Sequence, residues 1–137
     1  MTFAEKYNLR SADAILVPLF RTQILKHYAV FFIAPDGSEW VVENVWLKGV
    51  QLISASDFFG AIRGPFLIDA FQGNDYQRAM AAQRADNLIG KAYGFLDYNC
   101  EHFVSEVRTG RAESAQVRKG ATLLLVGCLL GIASKNS

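Results

Sequence analysis

The sequence is poor in the features that usually place a chain at once. It has two cysteines, Cys100 and Cys128, and three prolines in 137 residues. Two cysteines are too few for a disulfide scaffold, so a hydrophobic core must hold the fold, and free thiols in a cytoplasmic, reducing compartment are the expectation. Net charge is almost absent: fourteen Lys and Arg stand against thirteen Asp and Glu. That balance argues against a nucleic-acid partner. No uncharged run reaches the roughly twenty residues of a spanning helix, and Met1 to Arg10 has no apolar signal segment. No repeat or Pro/Gly/Ser linker divides the chain, so the reading is one domain, residues 1–119, followed by a hydrophobic tail, 120–137.

What is abundant is apolar surface, 51% of residues, and its spacing suggests elements. Ala14 to Phe20 reads as an edge strand because Pro18 cannot donate to a ladder. His27 to Ala34 is dense in aromatic and β-branched residues on both faces, as in a strand covered on both sides. Pro35-Asp36-Gly37 supplies turn chemistry, and Glu39 to Trp46 returns as the second strand of a hairpin. Gly49 to Ile53 adds another strand. Helical signals follow: Ser56-Asp57 caps a helix through Ile62 and Gly64-Pro65 ends it. Asn74 or Asp75 caps a longer helix with Tyr76, Ala79, Met80 and Gln83 at helical spacing and a stop at Gly90. Strands followed by helices predict an α+β domain with a small antiparallel sheet packed on helices.

Chemistry concentrates after Asn99. The stretch Cys100 to Gly110 (CEHFVSEVRTG) has Asn at the N-cap position, acid in the first turn, Arg in the last turn and Gly after it. Cys100 therefore falls at the first helical position, where unpaired N–H groups and the helix dipole favour a thiolate. Phe103, Val104 and Val107 continue its face, and His102 lies on another. His27 opens the hydrophobic hairpin and could take the thiol proton. Register then selects the group that orients it. A three-residue loop, Pro35 to Gly37, sets Ala34 opposite Ser38 and His27 opposite Val45, with Glu43 diagonal on the same face. A two-residue loop, Asp36-Gly37, sets Asn44 on that face instead. The catalytic set is thus Cys100, His27 and Glu43, with Asn44 as the alternative third member. The Cys100 N–H is the first oxyanion donor expected, and Asn99, Tyr98 and Tyr28 are further candidates.

These residues resemble a known family. His27-Tyr28-Ala29-Val30 is similar to the H-box, and Tyr98-Asn99-Cys100-Glu101-His102-Phe103-Val104 to the NC motif, of the lecithin retinol acyltransferase-like proteins and their phospholipase A/acyltransferase relatives. The resemblance covers roughly Ala14 to Gln116. It implies a permuted papain-like, NlpC-type fold in which the histidine precedes the cysteine, with Cys100 as nucleophile and His27 as base. It implies acyl transfer or hydrolysis on phospholipid or related acyl esters through a thioester, with no cofactor and no metal. The family usually has a second histidine after an aromatic-Val-Val run; here Trp40-Val41-Val42 is followed by Glu43.

Two rival readings keep the motifs. One is an NlpC-type cysteine peptidase or amidase, whose third polar position varies; the other is a catalytically inactive interaction module. The tail bears on partners: Ala121 to Ser134 is uncharged and follows Arg108, Arg111, Arg118 and Lys119, a basic flank suited to anionic headgroups. Gly127 and Gly131 have the spacing of close helix contacts. A membrane surface is the expected partner of residues 121–134, with docking on the domain or on a second copy as the alternative, and Cys128 goes with this tail.

Overall fold

The computed structural model describes residues 1–18, 26–94 and 98–113. Its centre is the hairpin of β2 (Lys26–Ile33) and β3 (Glu39–Val45). Ala34 N–H donates to Ser38 O (2.8 Å) and Gly37 N–H to Ala34 O (2.9 Å), closing the three-residue loop. Gly37 sits at φ +88°, a left-handed position that glycine takes without a Cβ clash. The ladder follows from that loop: Ile33 opposite Glu39, Phe31 opposite Val41, Ala29 opposite Glu43.

Five antiparallel strands lie in the order β4-β3-β2-β1-β5, with β1 at Ala14–Pro18, β4 at Gly49–Ser54 and β5 at Leu67–Asp69. Strand β1 is not the edge strand that Pro18 suggested, because β5 pairs with it. That pairing covers only Ala14 to Leu16 and stops short of Pro18, so the missing N–H costs no bond there. The exposed three-residue β5 has no apolar alternation to announce it.

Alternate side chains feed two cores. Val30, Phe32, Val42 and Val50 pack under α3 (Asp75–Leu88) and α4 (Cys100–Thr109). Ala29, Phe31, Val41 and Ile15 pack under α2 (Ala55–Ala61) and the side chains of α1 (Phe3–Tyr7). Helix α1 opens on a capping box, Thr2 Oγ1 accepting Glu5 N–H and Glu5 Oε2 accepting Thr2 N–H, both at 3.0 Å, and is capped from outside as well: Phe3 and Ala4 N–H donate to the two Glu39 carboxylate oxygens at 2.9 and 2.7 Å. Helix α2 begins two residues earlier than a Ser56 cap would place it, with Ser54 rather than Ser56-Asp57 as its cap. In α3 the cap is Asn74, and the buried positions are Arg78, Ala81 and Ala85, while Tyr76 is 72% exposed. The helix turns an arginine inward because Asp13 waits for it.

Asp13 is 2% exposed; its carboxylate accepts from Arg10 N–H (2.8 Å), Phe71 N–H (2.9 Å) and Arg78 Nη1 (3.0 Å). Arg78 also donates to Ser11 O and Phe71 O. Arg78→Ala would leave this carboxylate buried without its cation, so urea unfolding should show a loss of about 3–5 kcal/mol. Adding Asp13→Asn should return part of it.

Candidate functional site

The strand ends set up the site. Pairing between β2 and β3 stops at Ala29–Glu43, although β2 begins three residues earlier and β3 runs two residues further. The two strands part there, and His27, Tyr28, Glu43 and Asn44 lie at the parting. His27 and Glu43 lie on the Ala29–Phe31–Val41 side of the sheet. His27 Nε2 is 2.6 Å from Glu43 Oε1, with the side chains 1% and 8% exposed. Glu43 and Asn44, as consecutive strand residues, point to opposite sides. Asn44 therefore faces α4, where its Nδ2 donates to Tyr98 O (2.8 Å) and Asn99 O (3.2 Å). Glu43 is thus the residue this register brings to the imidazole, and the Asn44 amide is committed to the backbone before Cys100.

Cys100 is the first residue of α4, fully buried. The helix starts here for a local reason: Asn99 is extended and its side-chain oxygen accepts from the N–H groups of Glu101 (2.9 Å) and His102 (3.1 Å). His102 completes the box by accepting Asn99 N–H at Nδ1 (3.0 Å). His102 is a capping residue, which explains its burial. Phe103, Val104 and Val107 bury the helix face against the sheet, and Gly110, at φ +82°, ends it by donating to Glu106 O. The Asn99 side-chain oxygen is thus spent on the cap.

Two tyrosines flank the cysteine differently. The Tyr28 hydroxyl bonds the Glu101 carboxylate; burial first, then the negative charges at Glu101 and Cys100, push its phenol far above the ordinary range. The sensitivity to Cys100 puts Tyr28 in the same electrostatic neighbourhood as the thiol. Tyr98 is buried and its phenol is also pushed far up, by desolvation and then by Glu106. Lys91 Nζ lies 3.6 Å from the Tyr98 ring centroid and 3.5 Å from Glu106 Oε1, so the ammonium bridges the Tyr98 ring and the Glu106 carboxylate. Lys91 is held in turn by β4: Val50 N–H donates to Lys91 O, and a Cβ on Gly49 would collide with that carbonyl. Sequence reasoning did not find Lys91 or Glu106, because each acts through a contact far along the chain.

Among the described residues no helix is long and apolar enough to cross a membrane. The tail expectations at 121–134 and Cys128 lie outside the described residues.

A family model described as lecithin retinol acyltransferase matches residues 36–113, more than half of the chain. The matched stretch contains Glu43, Asn44 and Cys100 and begins after His27. No curated protein and no solved structure matches.

Because Tyr28 and Tyr98 hold their protons more tightly folded than unfolded, the unfolded chain releases protons first as pH rises through about 10. Their contribution is complete below that pH and is lost above it. Absorbance titration at 295 nm should show these two of the five tyrosines silent at pH 11 while the fold persists. Tyr28→Phe should leave the titration curve unchanged to that pH.

Proposed function

From membership of the lecithin retinol acyltransferase family, to which this chain belongs, we propose that it is a cysteine-dependent acyltransferase or acyl hydrolase acting on phospholipid or related acyl esters. The observation that supports this most is the buried His27–Glu43 pair where β2 and β3 part, in a chain whose helix-start Cys100 acts electrostatically on Tyr28, the residue next to His27. The antiparallel sheet with helices on both sides suits a papain-like arrangement with histidine before cysteine.

In the proposed reaction His27 takes the Cys100 proton. With Nε2 engaged by Glu43, Nδ1 is the ring nitrogen for that transfer. The sulfur attacks the acyl carbonyl, and the resulting oxyanion is met by the Cys100 N–H, an amide at the helix start that no intrahelical carbonyl can reach. The ester C–O bond breaks, the alkoxide takes the imidazolium proton, and a thioester remains on Cys100. Water, an amine or an alcohol then attacks the thioester, gives its proton to His27, and restores the thiol. Cys100 and His27 are buried, so the ester reaches them only when their cover moves aside. The membrane is the natural source of such an ester, with residues 121–134 as its contact.

Intact-mass measurement after incubation with phosphatidylcholine should show one added acyl group on the full-length chain and none on Cys100→Ala. His27→Ala should slow adduct formation about 10²–10⁴-fold. Turnover of muropeptides in place of lipid would favour the peptidase reading. A thiol that reacts like a free one and forms no adduct would remove the enzymatic reading.

A further inference from the structure

We propose that Asn44 is a positioning residue, which fixes the peptide between Asn99 and Cys100 so that its N–H points where an oxyanion forms; this role rests on the thioester reading above. In a planar trans peptide the C=O and N–H point in opposite directions, so whatever fixes the Asn99 carbonyl fixes the Cys100 N–H. That carbonyl is held twice: Phe103 N–H donates to it at 3.0 Å within the helix, and Asn44 Nδ2 at 3.2 Å from the sheet. The preceding carbonyl, of Tyr98, is also held twice, by Gly94 N–H and by Asn44 Nδ2, both at 2.8 Å. One carboxamide thus uses its two N–H groups on two successive carbonyls. The second of them belongs to the peptide whose N–H is the nucleophile's own. Donation to a peptide carbonyl also polarises the N–H across it, making it a stronger donor.

The location argues that the amide is there for this hold. Asn44 is fully buried on the apolar side of the sheet, between Val42 and Val50, and its Oδ1 has no hydrogen-bond partner among the described residues. An unsatisfied buried acceptor costs about 1–3 kcal/mol. A leucine of similar volume would remove that cost and would lose only the two bonds to the chain before Cys100.

The test compares two reactions of the same sulfur in the full-length chain. Acylation by p-nitrophenyl acetate passes through an oxyanion; alkylation by iodoacetamide does not. Asn44→Ala and Asn44→Leu should each slow Cys100 acylation about 10- to 100-fold, as expected for a misaligned oxyanion donor. The change should fall on the rate of the chemical step rather than on KM, with alkylation altered less than about threefold. The Leu variant should melt no lower than the Ala variant, which separates the chemical effect from stability. Unchanged acylation in both variants overturns the proposal. A parallel fall of both rates, or loss of the fold in both variants, assigns Asn44 to architecture alone and overturns it too. Failure of the natural sequence to be acylated while it is alkylated sinks the thioester reading itself, a distinguishable result.

Discussion

The register of one hairpin decides which chemistry this chain can attempt. The Pro35-Asp36-Gly37 loop is secured at its tip, where Asp36 Oδ1 accepts from Ser38 N–H (3.0 Å) and Ser38 Oγ (2.6 Å). Those bonds favour the charged carboxylate and draw its pKa below the ordinary value. Gly37 provides the left-handed step. A slip of one residue would turn every β3 side chain to the other side of the sheet. Val42 would leave the core under α4 and Val41 the core under α2. Glu43 would turn toward α4 and away from His27, and Asn44 would leave the carbonyls before Cys100. Two separate hydrophobic clusters and two separate polar contacts therefore select the same register. That agreement makes it robust despite a short, exposed turn.

From this register the rest of the site is assembled by buried polar contacts, which are strong in a low-dielectric interior and costly if half made. Asp13 with Arg78 fastens β1 to α3, and Arg108 bonds Asp69 (2.8 Å) and Ala12 O (3.1 Å), fastening α4 to β5 and the start of β1. At the opposite end of α4, Asn44, Asn99 and His102 fix its first turn. The helix is thus held at both ends by directional bonds and along its length by Phe103, Val104 and Val107, which are not directional. Apolar packing alone would let α4 slide or rotate by a fraction of a turn. The polar contacts determine where its first residue stands.

Much of this was legible in the sequence because the signals were local. Asn99, Glu101, Arg108 and Gly110 mark the limits of α4 within twelve residues, and the structure has the helix at Cys100–Thr109. The hairpin was legible up to a choice between two loops, which turn chemistry alone leaves open and the two cores decide. Non-local effects were not legible. Helix α1 has a local capping box at Thr2 and Glu5, but its Phe3 and Ala4 N–H groups are met by Glu39, more than thirty residues away. The inward face of α3 was not legible, because Tyr76, Ala79, Met80 and Gln83 fit helical spacing as well as Arg78, Ala81 and Ala85 do; only the distant Asp13 makes an arginine the buried choice. Strand β1 looked like an edge from Pro18, which says nothing about where a three-residue partner will end. For the site, residue types and spacing suggested Cys100, His27 and Glu43, while the commitment of Asn44 to two backbone carbonyls needed coordinates.

The carboxylate at position 43 has consequences for the proposed chemistry that a second histidine would not have. A neutral ring beside His27 can orient it, whereas a carboxylate also offsets the positive charge when the imidazole takes a proton. In a site screened from water this attraction is little damped. The same carboxylate adds negative charge near a sulfur that must itself become negative, which opposes thiolate formation. The two effects are not equal, because Glu43 touches the imidazole at 2.6 Å while the sulfur stands at the start of α4, where the dipole favours an anion. In the proposed reaction this balance favours moving the proton from sulfur to ring. It also gives the first turn of α4, held by Asn99 and Asn44, an electrostatic duty beyond that of locating Cys100: the positive end of the helix must offset the charge that Glu43 brings.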